Sequence, residues 1–132
     1  MLRTPTYWVF EMFKVHQGGT FLPVDLQSPD YVFGQEKIPM VSASATRAAD
    51  RSAVHLSLAN TSPAQAVTLS VKLAGLAPKS VTGRVLTAAM NAHNTFAAPD
   101  SVKPVAFDGA SVKGETLEVK LPAKSVVVLT LK

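Results

Sequence analysis

The sequence predicts an all-β protein: an antiparallel β-sandwich of jelly-roll type preceded by one N-terminal α-helix. Three observations carry that prediction. Beyond Gly19, apolar side chains recur at every second position in several short runs, the period of half-buried strands. Clusters of turn-forming residues separate these runs, at the roughly 8–12-residue spacing typical of sandwiches and jelly rolls. The first 17 residues instead follow helical spacing and stop at Gly18-Gly19.

The helix is expected over Thr4–Gln17. Thr4-Pro5 supplies a hydroxyl N-cap followed by proline at the first helical position, and no further Pro or Gly intervenes before Gly18. Tyr7, Trp8, Phe10, Met12 and Phe13 make this helix apolar around most of its circumference. A surface helix is apolar on one stripe only, so this one asks for cover on two sides.

Leu22–Pro39, with Pro23, Pro29 and Pro39, reads as an extended linker holding one or two short strands. Met40–Arg47 reads as a strand with small outward residues Ser42, Ser44 and Thr46. Ala53–Ala59 alternates Val54, Leu56 and Leu58 against His55, Ser57 and Ala59, and Ala66–Leu73 and Thr116–Leu121 alternate in the same way. Each is a strand with one face inward and one wet. Val81–Thr87 and Ser125–Leu131 are apolar on both faces and are expected to be central or packed from both sides. Ala88–Val105 is a long connection, of a length that is uncommon in a compact domain unless it is functional or docked.

The chain has 132 residues, 47% of them hydrophobic and 17% charged, with no cysteine. That size supports one domain with a real core, and the absent cysteines exclude disulfides and thiolate sites. The net charge of +4 comes from bases scattered along the chain. A nucleic-acid surface needs a basic stripe, so no nucleic-acid partner is expected. No apolar run reaches the roughly 18 residues that span a bilayer, and Pro5, Glu11 and Lys14 interrupt any leader-like core. No membrane partner is expected, and the compartment stays open.

Chemistry is sparse. The nine acids include no pair expected at the ends of neighbouring buried strands, as two carboxylates flanking a glycosidic bond require. His16, His55 and His93 fall at a helix end, on a strand and in the long loop, without metal-ligand spacing. No Gly-x-Ser-x-Gly elbow and no phosphate-binding glycine loop occur. No catalytic residue, metal or cofactor is therefore assigned. Asn60-Thr61-Ser62 fits the N-glycosylation pattern, with Pro63 after it, and reads as a tight hairpin turn. His93, Asn94 and Thr95 are the loop candidates for a polar site: imidazole, amide and hydroxyl groups that a sugar could meet. The competing structural reading has Asn94 and Thr95 pinning the loop backbone while Phe96 plugs it onto the sandwich.

Several stretches resemble a known family. Thr4–Gln17, followed by Leu22-Pro23-Val24, Ser28-Pro29-Asp30-Tyr31 and Pro39–Ala45, resembles the end of the catalytic barrel and the start of the next domain in α-L-arabinofuranosidases of glycoside hydrolase family 51. His93-Asn94-Thr95-Phe96 and Leu121–Val126 are similar to that family's C-terminal domain. Trp8 stands where many members carry His, and Ala97 where Glu often follows the Phe.

The resemblance implies that residues 1–19 are the remnant of the last barrel strand and helix, and that residues 20–132 form the C-terminal β-sandwich domain. It implies a catalytic (β/α)8 barrel as partner, with both catalytic glutamates upstream of Met1, and an inactive chain on its own. It places Thr4 at the border of the sugar site and makes a homo-oligomer an option. The alternative is a stand-alone carbohydrate-binding, structural or oligomerisation β-sandwich module.

Overall fold

A computed structural model describes all residues from Met1 to Lys132. The helix α1 spans Pro5–Phe13 and continues as a 3-10 turn over Lys14–His16. Thr4 is its N-cap, its hydroxyl accepting from the Tyr7 N–H at 3.2 Å. Gly18, at φ +69°, turns the chain into the left-handed region that ends the helix. Gly19 then passes so close to the next sheet that a Cβ there would lie 2.9 Å from the Arg47 carbonyl.

Eleven strands follow: β1 Thr20–Leu22, β2 Asp30–Phe33, β3 Glu36–Pro39, β4 Val41–Arg47, β5 Val54–Asn60, β6 Val67–Lys72, β7 Val81–Thr87, β8 Val105–Ala106, β9 Ala110–Lys113, β10 Thr116–Leu121 and β11 Ser125–Leu131. They form a six-stranded sheet β1-β4-β5-β11-β7-β8, a three-stranded sheet β6-β10-β9 and a separate β2-β3 hairpin. Every pairing is antiparallel. The chain crosses between the two larger sheets at β5–β6, β6–β7, β8–β9 and β10–β11, giving the expected sandwich.

The main core lies between those sheets. Leu56, Leu58, Val127, Leu129 and Leu131 from the large sheet meet Leu69, Leu117, Val119 and Leu121 from the small one. Phe107 closes one side of this core, its ring lying where a Cβ on Gly83 or Gly109 would be 3.3 Å and 2.6 Å away.

A second cluster lies on the opposite face of the large sheet: Met12 of α1, Leu86, Val102 and Val128, with Trp8, Val9, Ala88 and Ala92 at its rim. β11 therefore uses both faces. Val127, Leu129 and Leu131 point to the small sheet and Val128 to the helix, as its two-sided apolar pattern requires. The molecule has three layers: small sheet, large sheet, then α1 with the 88–105 loop.

The Leu22–Pro39 segment holds two short strands, as expected, paired with each other as a hairpin. Other expectations change. Thr46 and Ser57, expected on a wet face, are buried, because the end of α1 covers that part of the sheet. Asn60-Thr61-Ser62 is not a hairpin turn, since β5 and β6 lie in different sheets. Asn60 is buried there, donating to the Gln65 and Pro122 carbonyls at 2.8 and 2.9 Å and accepting from the Ser62 N–H, which leaves no free amide for a glycan.

Leu129 is fully buried at the centre of the core. Its replacement by Ala should cost about 2–5 kcal/mol, read as a lower urea midpoint with unchanged slope. Lys113→Ala, at an exposed position, should stay within about 0.5 kcal/mol of wild type.

Candidate functional site

The residues singled out by sequence gather at one end of the large sheet. Strand register aligns Val41, Asn60, Ser125 and Thr87 in one row. The chain leaves β7 beyond Thr87 into the 88–105 loop, and that loop meets the start of α1.

Asn94 makes the junction. Its amide donates to the Arg3 carbonyl at 2.7 Å and the Val102 carbonyl at 2.8 Å, and its oxygen accepts from the Val102 N–H at 2.6 Å. The side chain is buried with all these groups paired, so it fixes backbone rather than offering groups to a ligand. Thr95 faces its own turn, its hydroxyl accepting from the Ala98 N–H at 3.1 Å. His93 is exposed, with Nδ1 3.1 Å from the Asn91 carbonyl. These three side chains point to three different places. Phe96 does not plug the loop: it is 86% exposed, and Val102 supplies the apolar anchor instead.

The Thr4 hydroxyl is engaged by the helix cap. Beside it, the Arg3 guanidinium lies 5.2 Å from the centre of the Trp8 ring. The buried Trp8 Nε1–H has no acceptor within the chain. On the outer side of α1, Phe10 is 73% exposed and Tyr7 is also exposed. The cover that its all-round apolar pattern asks for is supplied on one side only.

A polar cluster that sequence spacing did not reveal lies under the end of α1. His16 Nδ1 is 2.7 Å from Thr46 Oγ1, and its Nε2 is 2.5 Å from Ser57 Oγ. The His55 ring stands 6.2 Å away, its Nδ1 3.1 Å from Thr130 Oγ1. The Ser57–His16 contact has the look of a nucleophile and its base. However, Ser57 is buried and a hydroxyl occupies the position where a carboxylate would orient the imidazole. The cluster ties helix to sheet. Only the pairing of outward positions in neighbouring strands, with a histidine at a helix end, hinted at it.

Both imidazoles titrate below the ordinary histidine value. Burial is the larger cause for each. Mutual repulsion adds to it for His16, and for His55 the Lys132 ammonium lowers the value further while Asp50 opposes. Asp50 itself is held below the usual carboxylate range by the Ser52 hydroxyl and N–H.

Among the acids, Glu11 pairs with Arg84 at 2.8 Å, Asp30 with Lys37 and Asp100 with Lys103. No group of three or more metal-ligating side chains assembles. A 710 Å³ cleft opens between β6 and the β4–β5 side of the large sheet, lined mainly by apolar residues such as Leu22, Leu26 and Leu69.

Known proteins share this architecture. A family model described as the alpha-L-arabinofuranosidase C-terminal domain matches residues 1–125. An intracellular exo-alpha-L-arabinofuranosidase from Bacteroides ovatus is 40% identical over the whole chain, which spans 26% of that protein. The crystal structure of the GH51 arabinofuranosidase from Xanthomonas axonopodis pv. citri superimposes with a TM-score of 0.94 at 45% identity, covering 98% of this chain and 26% of that one. The thermostable GH51 enzyme from Thermotoga petrophila shares the fold, with a TM-score of 0.82 at 23% identity over 98% of this chain and 29% of its own. The chain thus spans about a quarter of the length of these relatives.

Two outcomes are expected. Asn94→Ala leaves the Val102 N–H and two carbonyls unpaired and should destabilise the fold by about 2–4 kcal/mol, with the amides of residues 92–102 losing hydrogen-exchange protection first. The histidines contribute stability above their unfolded value of about 6.5, and that stability is lost as pH falls through the lowered native values. The urea midpoint should be flat above that value and decline below it, and His16→Gln should flatten the decline.

Proposed function

The chain belongs to the alpha-L-arabinofuranosidase C-terminal domain family, and from that premise we propose that it acts as the non-catalytic accessory domain of an α-L-arabinofuranosidase. In this reading residues 1–19 are the last strand and helix of a catalytic (β/α)8 barrel, and residues 20–132 are the sandwich that packs against it. The barrel supplies the acid/base and nucleophilic carboxylates, which act on arabinofuranosyl groups. This chain supplies none of the chemistry. Thr4, at the barrel end of α1, is its residue nearest the sugar site. His93, Asn94 and Thr95 serve the junction with the barrel rather than the sugar.

One observation carries the proposal: the chain exposes more surface than a self-contained protein of its mass. A folded monomer of 14.0 kDa has an accessible surface of about 6,700 Å². This chain has 8431 Å², an excess of about 1,700 Å², roughly twice what one partner contributes to a standard protein interface. Phe10, Tyr7, Met90 and Phe96 contribute to it from α1 and the adjoining loop. Exposed apolar side chains gathered on one helix and its adjoining loop mark a partner face. A barrel continuing from Met1 would meet it directly.

The isolated chain should not hydrolyse an aryl α-L-arabinofuranoside. When it replaces the C-terminal quarter of the Bacteroides ovatus enzyme, the chimera should fold and hydrolyse that substrate. Phe10→Asp should leave the isolated chain's stability within about 0.5 kcal/mol. In the chimera the same change buries a charge against the barrel and should cost about 2–4 kcal/mol, seen as a lower melting temperature. Equal small effects in both contexts would exclude the proposed interface.

A further inference from the structure

We propose that Asp108 is a site of spontaneous covalent modification, where the Asp108-Gly109 link isomerises to isoaspartate and loosens a crossover between the two larger sheets. This inference does not depend on the enzymatic reading above.

Residues 107–109 join β8 of the large sheet to β9 of the small one. Both flanks of this link are held. The Phe107 N–H donates to the Gly83 carbonyl at 2.9 Å, and the Gly109 carbonyl accepts from the Lys120 N–H at 2.8 Å. The Phe107 ring packs against the main core. Between these anchors the reactive groups are free. Asp108 is exposed and its carboxylate forms no ion pair. The Gly109 N–H finds no backbone acceptor within the chain.

The fold also forbids a residue that would protect the link. A Cβ at Gly109 would lie 2.6 and 2.8 Å from atoms of the Phe107 ring and 3.0 Å from the Lys120 carbonyl oxygen. The packing of Phe107 therefore demands glycine, and glycine leaves its amide nitrogen without a side chain to shield it. The other aspartates differ. Leu26, Tyr31 and Arg51 follow Asp25, Asp30 and Asp50, and each sets a large side chain beside the nitrogen. Asp100 precedes the small Ser101, but Lys103 holds its carboxylate at 3.6 Å.

The chemistry needs only water. The Gly109 nitrogen attacks Cγ of the un-ionised Asp108 carboxyl. A C–N bond forms, and the carboxyl hydroxyl leaves with the proton shed by the nitrogen as one water. The product is a five-membered cyclic imide. Water then adds to one of its two carbonyl carbons and breaks that carbon's bond to nitrogen. Addition at Cγ restores aspartate. Addition at the main-chain carbonyl leaves the chain running through the former side chain, with a new free carboxylate. Nothing is oxidised or reduced, and the composition is unchanged. The isoaspartyl link carries one more main-chain carbon between Phe107 and Gly109. With Phe107 fixed in the core, the added length carries Gly109 away from Lys120, and a hydrogen bond weakens steeply once its geometry is lost.

Ageing of the full chain in heavy-oxygen water at neutral pH tests this. Each passage through the imide places one heavy oxygen on the residue, so peptides containing Asp108 should gain two mass units. Labelling at Asp108 should exceed that at Asp100 several-fold, and an aspartate-specific endoprotease should stop cutting before residue 108 in the isomerised fraction. Asp108→Glu should abolish both signals, because its ring would need a sixth member. Asp108→Asn should convert faster than wild type, since ammonia leaves a neutral amide more readily than water leaves a carboxyl that is mostly ionised. Hydrogen exchange reads the consequence. In the aged wild type, the Lys120 amide should show a fast-exchanging fraction equal to the isoaspartyl fraction, absent from aged Asp108→Glu. Labelling no greater at Asp108 than at Asp100 overturns the proposal. So does Asp108→Asn that resists conversion, or isomerised chains whose Lys120 amide exchanges as slowly as before.

Discussion

The structure depends on one strand with two dry faces. β11 lies between β5 and β7, and its side chains alternate between two apolar environments rather than between core and water. A sheet built around such a strand cannot leave either side to solvent, because each exposed Val or Leu forgoes about 1.5–3 kcal/mol of burial. The small sheet covers one side. Only α1 and the 88–105 loop remain to cover the other, which explains why both are docked rather than free.

Docking a helix over a sheet face that also carries Ser, Thr and His creates a polar problem inside an apolar contact. Buried polar groups are tolerated when each finds a partner. Here the hydroxyls of Thr46, Ser57 and Thr130 meet the rings of His16 and His55. The same burial that makes these bonds worthwhile depresses both imidazoles, so the seam between helix and sheet is also the acid-sensitive part of the molecule. The surface ion pair of Glu11 with Arg84 spans the same seam, but at its exposure it contributes little.

The third layer is itself uncovered. Met12 is drawn fully into the sheet, while Phe10, on the other side of the same helix, faces outward. Any helix with apolar residues around its whole girth meets this fate when only one neighbour is present. This layer contributes part of the excess exposed area of the chain. The β2–β3 hairpin is a separate case, exposed because it stands off the sandwich just before the start of β4 and belongs to neither layer.

Much of this was legible in the sequence. The helix cap at Thr4, the stop at Gly18 and the strands Val81–Thr87, Thr116–Leu121 and Ser125–Leu131 follow from local chemistry: φ preferences, capping and period-two alternation. The two-sided character of β11 and the insufficient cover for α1 could be read as well, because both are counts of apolar faces. The short strands β1, β8 and β9 left too few residues for a period to show. In the candidate site, Asn94 was legible as a loop anchor, whereas its bond to Arg3 and the outward turn of Phe96 were not. Alternation in a strand states that two faces differ. It does not state which residues of the wetter face another element will cover. Thr46 and Ser57 became buried because His16, distant along the chain, lands on them. The sequence by itself determined which segments are strands, which is the helix and how many faces need burial, since those depend on neighbours along the chain. Only the tertiary structure decided where each covering element lands, since that depends on contacts between residues far apart in sequence.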